Sequence, residues 1–144
     1  GTLEDDLARR DFTMNAIAKD LVEDTLIDPF DGLKDIKLAI IRTVGDPMER
    51  FTEDALRAVR ALRFSVTKGF WIVPEVVNAM ESPEVLDLIT NKISDERIMD
   101  ELNKMLRKDT LRSLKEMEKF PLLTQAMFSG RVSLDATMKQ RGRG

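Results

Sequence analysis

The chain contains no cysteine and no histidine. The first absence excludes disulfides and thiolate zinc sites. The second removes the commonest general base and metal ligand, and with it every Ser-His-Asp or Cys-His mechanism. No apolar run approaches about 20 residues, so nothing reads as a membrane span. No signal peptide is recognisable either, which makes the cytoplasm the expected compartment. Neither sign of charge dominates: 23 basic residues stand against 26 acidic ones, a formal net charge of -3. That is not the footprint of a general DNA-binding protein, although local segregation of charge leaves room for RNA. Internal repeats and low-complexity linkers are also missing.

What remains is an ordinary globular composition, 42% hydrophobic and 34% charged over 144 residues. That length suits one domain, or two small ones sharing a helix. Residues 1–46 are mixed. Short apolar runs alternate with turn chemistry at Asp28-Pro29 and Phe30-Asp31-Gly32, and one or two helical turns fit Leu33 to Leu38. Ala39 to Val44 reads as a short strand stopped by Gly45-Asp46-Pro47. From Met48 the pattern is helical. A helix is expected to about Thr67, ending at Lys68-Gly69, then others at about 74–81, 83–90, 95–108, 110–119 and 121–128. Ser82 and Ser94 stand where helix caps belong. The expected class is α+β, mainly α: a few short strands over residues 1–46, a helical unit over 47–128, and a partly disordered basic tail over 129–144. Phe70-Trp71-Ile72 is expected as an apolar turn packed on the helices. Met99, Leu102, Met105 and Leu106 fall at core spacing. The cluster Lys104, Arg107, Lys108, Arg112 and Lys115 suits a solvated face or an RNA phosphate contact.

The segment 48–67 carries the most information. At about 100° per residue, Ala55, Val59, Leu62 and Val66 share one face. Glu53, Asp54, Arg57 and Arg60 occupy the opposite one. Arg63 lies at the apolar margin, and Phe64 falls among the charges. Two readings are open. One is a solvated amphipathic helix with Asp54–Arg57 and Glu53–Arg57 pairs. The other is a nucleotide site. An aspartate beside an arginine offers an acceptor next to a donor fork. Cytosine and adenine both present an amino donor beside a ring-nitrogen acceptor, whereas uracil and guanine present the reverse.

Four ordered segments carry a resemblance. They are Glu4 to Ala16 (with Arg9-Arg10-Asp11-Phe12), Asp28 to Asp35, Ile41 to Pro47, and Arg50 to Phe64 (with Glu53-Asp54-Ala55-Leu56-Arg57). Together they resemble the class II CCA-adding tRNA nucleotidyltransferases, which share their head domain with bacterial poly(A) polymerases. The resemblance implies that Arg10 reaches phosphate and that Asp11 accepts from a ribose hydroxyl. It implies further that Asp54 and Arg57 act as an amino-acid template for the base, braced by Glu53. Arg60 and Arg63 match nucleotide contacts, and Asn15 and Asp28-Pro29-Phe30 match positions that shape the fold. The implied substrates are CTP and ATP, the implied cofactor magnesium, and the implied partner the tRNA 3′ end.

The sequence departs from that family in two ways. No Asp-x-Asp pair occurs to hold magnesium, and no glycine-rich phosphate cradle occurs. The chain therefore reads as a partial enzyme, with part of the head, the neck and a short helical C-terminus, binding NTP without polymerising. The alternatives are a poly(A) polymerase fragment, or a non-catalytic helical module that binds RNA or protein. Ala55-Leu56 after Glu53-Asp54 favours the CCA branch, since the poly(A) branch typically carries proline there. A second chain supplying the rest of the head, or a homodimer covering an exposed sheet edge, is the expected protein partner.

Overall fold

Side chains near the N-terminus fix where the first elements begin. The Thr2 hydroxyl accepts from the Asp5 backbone N–H, and the Asp5 carboxylate accepts from that of Thr2. This reciprocal cap opens helix α1 (Leu3–Ala8), an element the periodicity reading did not anticipate. A 3₁₀ turn at Thr13–Asn15 follows, then an antiparallel hairpin of β1 (Ala18–Asp20) and β2 (Thr25–Ile27). The Asp28 carboxylate accepts from the N–H groups of Gly32 and Leu33 at 2.6 and 2.9 Å, which starts α2 (Gly32–Leu38). Position 32 admits only glycine, because a Cβ there would lie 2.1 Å from the Thr13 carbonyl oxygen. Strand β3 (Ile40–Ile41) then pairs in parallel with β4 (Trp71–Ile72).

The remainder is helical: α3 (Pro47–Glu53), α4 (Leu56–Thr67), α5 (Pro74–Met80), α6 (Pro83–Lys92), α7 (Asp95–Lys108), α8 (Thr110–Lys119) and α9 (Pro121–Phe128). Helices α3, α5, α6 and α9 each begin with proline, whose missing N–H is one the first turn leaves unused. Ser82 and Ser94 cap α6 and α7 as expected, and Asp109 caps α8. Helix α4 is the axis of the fold, with α3, α5, α7, α8 and the β3–β4 pair packed around it. Its buried Val59 and Leu62 belong to one continuous core with Phe12, Ile41, Phe51, Leu102 and Met105. Phe12, Met14 and Ile41 therefore share the core of the helices, whereas Leu7, Ala16 and Val44 form a small cluster of their own. Met99 and Leu106 pack at its edge, and Lys104, Arg107, Lys108, Arg112 and Lys115 are all exposed. This computed structural model describes residues 1–129, so the basic tail lies outside the described residues. No described helix is long and apolar enough to cross a membrane.

Three expectations need correction. The single helix over 48–67 is two, broken at Asp54, whose backbone is extended (φ -152°, ψ 101°). The physical cause is the Asp54 side chain, which accepts from the Leu56 N–H at 3.2 Å and competes with the helical pattern. The strand expected from Ala39 to Val44 shortens to Ile40–Ile41, because Thr43 turns away to bridge Phe12. Of the expected turn Phe70-Trp71-Ile72, the last two residues form strand β4, which buries Ile72 while leaving Trp71 61% exposed.

Candidate nucleotide-binding site

The break at Asp54 opens one end of α4 toward the segment following α1. Between them lies a cleft of about 490 Å³. Arg10, Asp11, Asp54, Arg57 and Arg60 all line it, five of the six residues singled out from sequence. Arg9, Asn15, Leu56, Phe64 and Arg97 complete its walls. Five arginines thus face two carboxylates, a balance suited to a polyphosphate.

Asp11 is 8% exposed and fully ligated on one side. Its Oδ1 accepts from the Phe12 N–H at 2.7 Å and from Asn15 Nδ2 at 3.1 Å. Its Oδ2 accepts from Arg60 Nε at 2.7 Å. A carboxylate offers about four acceptor directions, so roughly one is left for a ligand hydroxyl. Asn15 thereby orients Asp11, a role that the shared turn of chain, rather than any motif, would have revealed.

Arg57 is held more tightly still. Its Nη1 donates to Glu53 Oε2 at 2.8 Å and to the Arg50 carbonyl at 3.0 Å, and its Nη2 donates to the Arg9 carbonyl at 3.2 Å. Three of a guanidinium's five N–H groups are then used, leaving roughly two to meet a ring nitrogen. Glu53 and Arg57 thus form the i,i+4 pair read from the sequence.

Asp54 does not pair with Arg57. Both its oxygens accept from Arg97 on α7, at 3.2 and 2.7 Å. Burial alone would raise the Asp54 carboxyl. The hydrogen bonds and charge of Arg97 outweigh it, with help from the Leu56 N–H and the Arg57 charge, and hold the group below the usual carboxylate range. Its carboxylate bonds in turn raise Arg97. An ionised Asp54 can only accept, which is the property an exocyclic amine requires.

Arg63 lies behind this front row. Its guanidinium pairs with the buried Glu101 of α7 and sits 4.4 Å over the Phe64 ring. Arg60 covers the same ring at 5.2 Å and approaches Glu101 at 3.6 Å. Phe64 is therefore buried beneath two guanidinium groups, with Phe12 edge-on at 5.7 Å. Arg97 and Glu101 were not singled out from the sequence. Their i,i+4 spacing within Ser94-Asp95-Glu96-Arg97 to Glu101 is a visible signal, although it looks like any surface ion pair. Among the described residues no group of three or more His, Cys, Asp or Glu is placed to hold a metal ion, so these residues do not fit magnesium.

Residues 1–42 match the poly(A) polymerase head domain, and residues 69–127 match the probable RNA and SrmB-binding site of polymerase A. The chain belongs to the family of poly(A) polymerases and CCA-adding nucleotidyltransferases. Within that family it is 54% identical over 106 residues to the CCA-adding enzyme of Levilactobacillus brevis, covering 73% of this chain and 25% of that one. The CCA-adding enzyme of Bacillus stearothermophilus, solved in complex with CTP, superimposes with a TM-score of 0.74 at 45% identity. That match covers 81% of this chain and 29% of the other. A tRNA nucleotidyltransferase solved with a primer tRNA and an incoming ATP analogue gives 0.78 at 32% identity, covering 96% and 41%. The chain thus spans about a quarter of the length of the curated relatives it matches.

Proposed function

We propose that this chain is the nucleotide-selecting portion of a tRNA CCA-adding nucleotidyltransferase, choosing CTP and ATP for the tRNA 3′ end. One observation supports this above all. The residues suited to reading a base, Asp54 and Arg57, line the same cleft as those suited to a sugar and phosphates, Arg10, Asp11 and Arg60. In this reading Asp54 accepts from the amino group of cytosine or adenine, while Arg57 donates to the adjacent ring nitrogen. Uracil and guanine would set a carbonyl against the Asp54 carboxylate and an N–H against the guanidinium, so both contacts repel. Asp11 takes the ribose hydroxyl with its remaining acceptor direction. Arg10 and Arg60 meet phosphate, and Arg63 acts through Glu101 and Phe64 rather than by touching the nucleotide. Residues 1–46 form part of the head in this scheme, and residues 47–128 the neck. A tRNA-processing role places the chain in the cytoplasm. In this reading magnesium serves the reaction, and no set of ligands for it stands among the described residues.

The test is equilibrium binding of the four NTPs with magnesium, by calorimetry, to this chain and to Arg57→Ala. Binding of CTP and ATP over UTP and GTP is expected. The variant should lose that preference by about tenfold or more, the effect of one charge-assisted hydrogen bond. Binding of ATP alone would shift the reading to poly(A) addition. Indifference to the base would overturn it.

A further inference from the structure

We infer that Arg50, which no motif reading assigns to the nucleotide, is the positioning residue that fixes the base-reading pair at a set distance from the ribose-binding segment. The inference rests on the nucleotide-selecting role proposed above. Arg50 lies on α3, outside the cleft lining, with its side chain only 14% exposed. Its Nη1 donates to the Ala8 carbonyl at 3.0 Å. Ala8 is the last residue of α1 and stands immediately before Arg9-Arg10-Asp11. Its Nη2 donates to Glu53 Oε1 at 2.8 Å. The other oxygen of the same carboxylate accepts from Arg57. Glu53 is therefore gripped between two arginines, one on each oxygen.

The backbone of Arg50 acts in the same sense. Its carbonyl accepts from Arg57 Nη1 at 3.0 Å, and from the Asp54 N–H at 3.3 Å. Arg57 then donates to the Arg9 carbonyl, one residue beyond the carbonyl that Arg50 holds. Two neighbouring carbonyls of the sugar-and-phosphate segment are thus clamped by two arginines that share one glutamate. A half-exposed glutamate held by Arg57 alone would sample several rotamers. The second arginine removes that freedom, and Arg57 inherits the fixed geometry.

One further detail fits this role. Arg50 Nε is buried and meets no protein acceptor, and it is the one such side-chain atom found among the described residues. An orphaned buried donor is costly, and a group chosen for packing alone would avoid it. Here both Nη groups are already committed to the Ala8 carbonyl and Glu53, and that geometry leaves Nε stranded.

The test compares Arg50→Lys and Arg50→Met with the unmodified chain. It measures calorimetric binding of CTP, UTP and dCTP with magnesium, alongside thermal unfolding without nucleotide. Lysine keeps the charge and much of the stem but cannot span both acceptors as a planar fork. Positioning predicts that the CTP-over-UTP and CTP-over-dCTP ratios fall together, by about tenfold, in both variants. It also predicts that lysine restores the unfolding temperature without restoring the ratios. A purely structural role would lower all affinities by one common factor and leave the ratios intact, and that result in Arg50→Lys would overturn the inference even if Arg50→Met fails to fold. An unmodified chain that shows no preference among the nucleotides would remove the underlying reading, and this inference with it. Selective binding that survives in both variants would sink the inference alone.

Discussion

Replacing Arg97 by methionine removes both guanidinium donors to Asp54, at 2.7 and 3.2 Å, while keeping an unbranched stem in place. The side chains of Arg97 and Asp54 are 48% and 31% exposed, so solvent screens the pair. Exposed ion pairs contribute about 0.2–1 kcal/mol, and a two-pronged guanidinium–carboxylate contact belongs near the top of that range. A double-mutant cycle of Arg97→Met and Asp54→Asn should therefore give a coupling of about 1 kcal/mol by urea unfolding near pH 7. Asparagine keeps an oxygen to cap the Leu56 N–H, so the break between α3 and α4 survives the substitution. The pH dependence follows from the depressed carboxyl. The folded-state value lies below the ordinary 3.8, so the pair's contribution is fully present above that value. It disappears as the pH falls through the lower folded-state value. Added salt should weaken the coupling in the same assay. No coupling near neutral pH, or the same coupling after acidification through that window, would refute this account of how Asp54 is held.

Two other substitutions test separate contacts in the fold and the cleft. Gly32→Ala should destabilise the chain by about 3 kcal/mol in urea unfolding, because the added Cβ meets rigid backbone at Thr13. Unchanged stability would contradict the close approach of α2 to the 3₁₀ turn. Asp11→Ala should bring CTP and dCTP affinities to within about twofold of each other while leaving CTP preferred over UTP, and should cost about 2 kcal/mol of stability as Arg60 loses its nearest carboxylate. Intact ribose discrimination in competition binding would remove Asp11 from the role assigned to it.

Much of the helical part was legible because its signals are local. Asp95–Lys108, Thr110–Lys119 and Pro121–Phe128 fall where caps, prolines and apolar spacing put them. The capping box at Thr2 was equally local but stood ahead of a helix too short to show periodicity. The break at Asp54 was hidden for a different reason. Phe51, Ala55, Val59 and Leu62 keep an apolar stripe across it, and the aspartate side chain competes with the backbone there. At the site, the Glu53–Arg57 brace was visible as an i,i+4 pair. The partner of Asp54 was not, because Arg97 reaches it from 43 residues away. The same holds for Asp11 and Arg60, and for Arg63 and Glu101, whose contacts depend on α4 packing against α1's exit and against α7. Long-range ion pairs leave no spacing to read.

The interruption at Asp54 also restricts how this segment can vary. Glu53 ends one helix and Arg57 lies in the first turn of the next, yet the two are in contact. One inserted or deleted residue at the junction would rotate everything beyond it by about 100° and shift it by about 1.5 Å. Arg57 would swing off the Arg9 carbonyl, and Val59 and Leu62 would leave the core together. Substitutions at Ala55 need only respect a small buried site, whereas changes in length have no tolerated solution. The spacing between Glu53 and Arg57 is in that sense a ruler cut into the backbone, more constrained than the residues it separates.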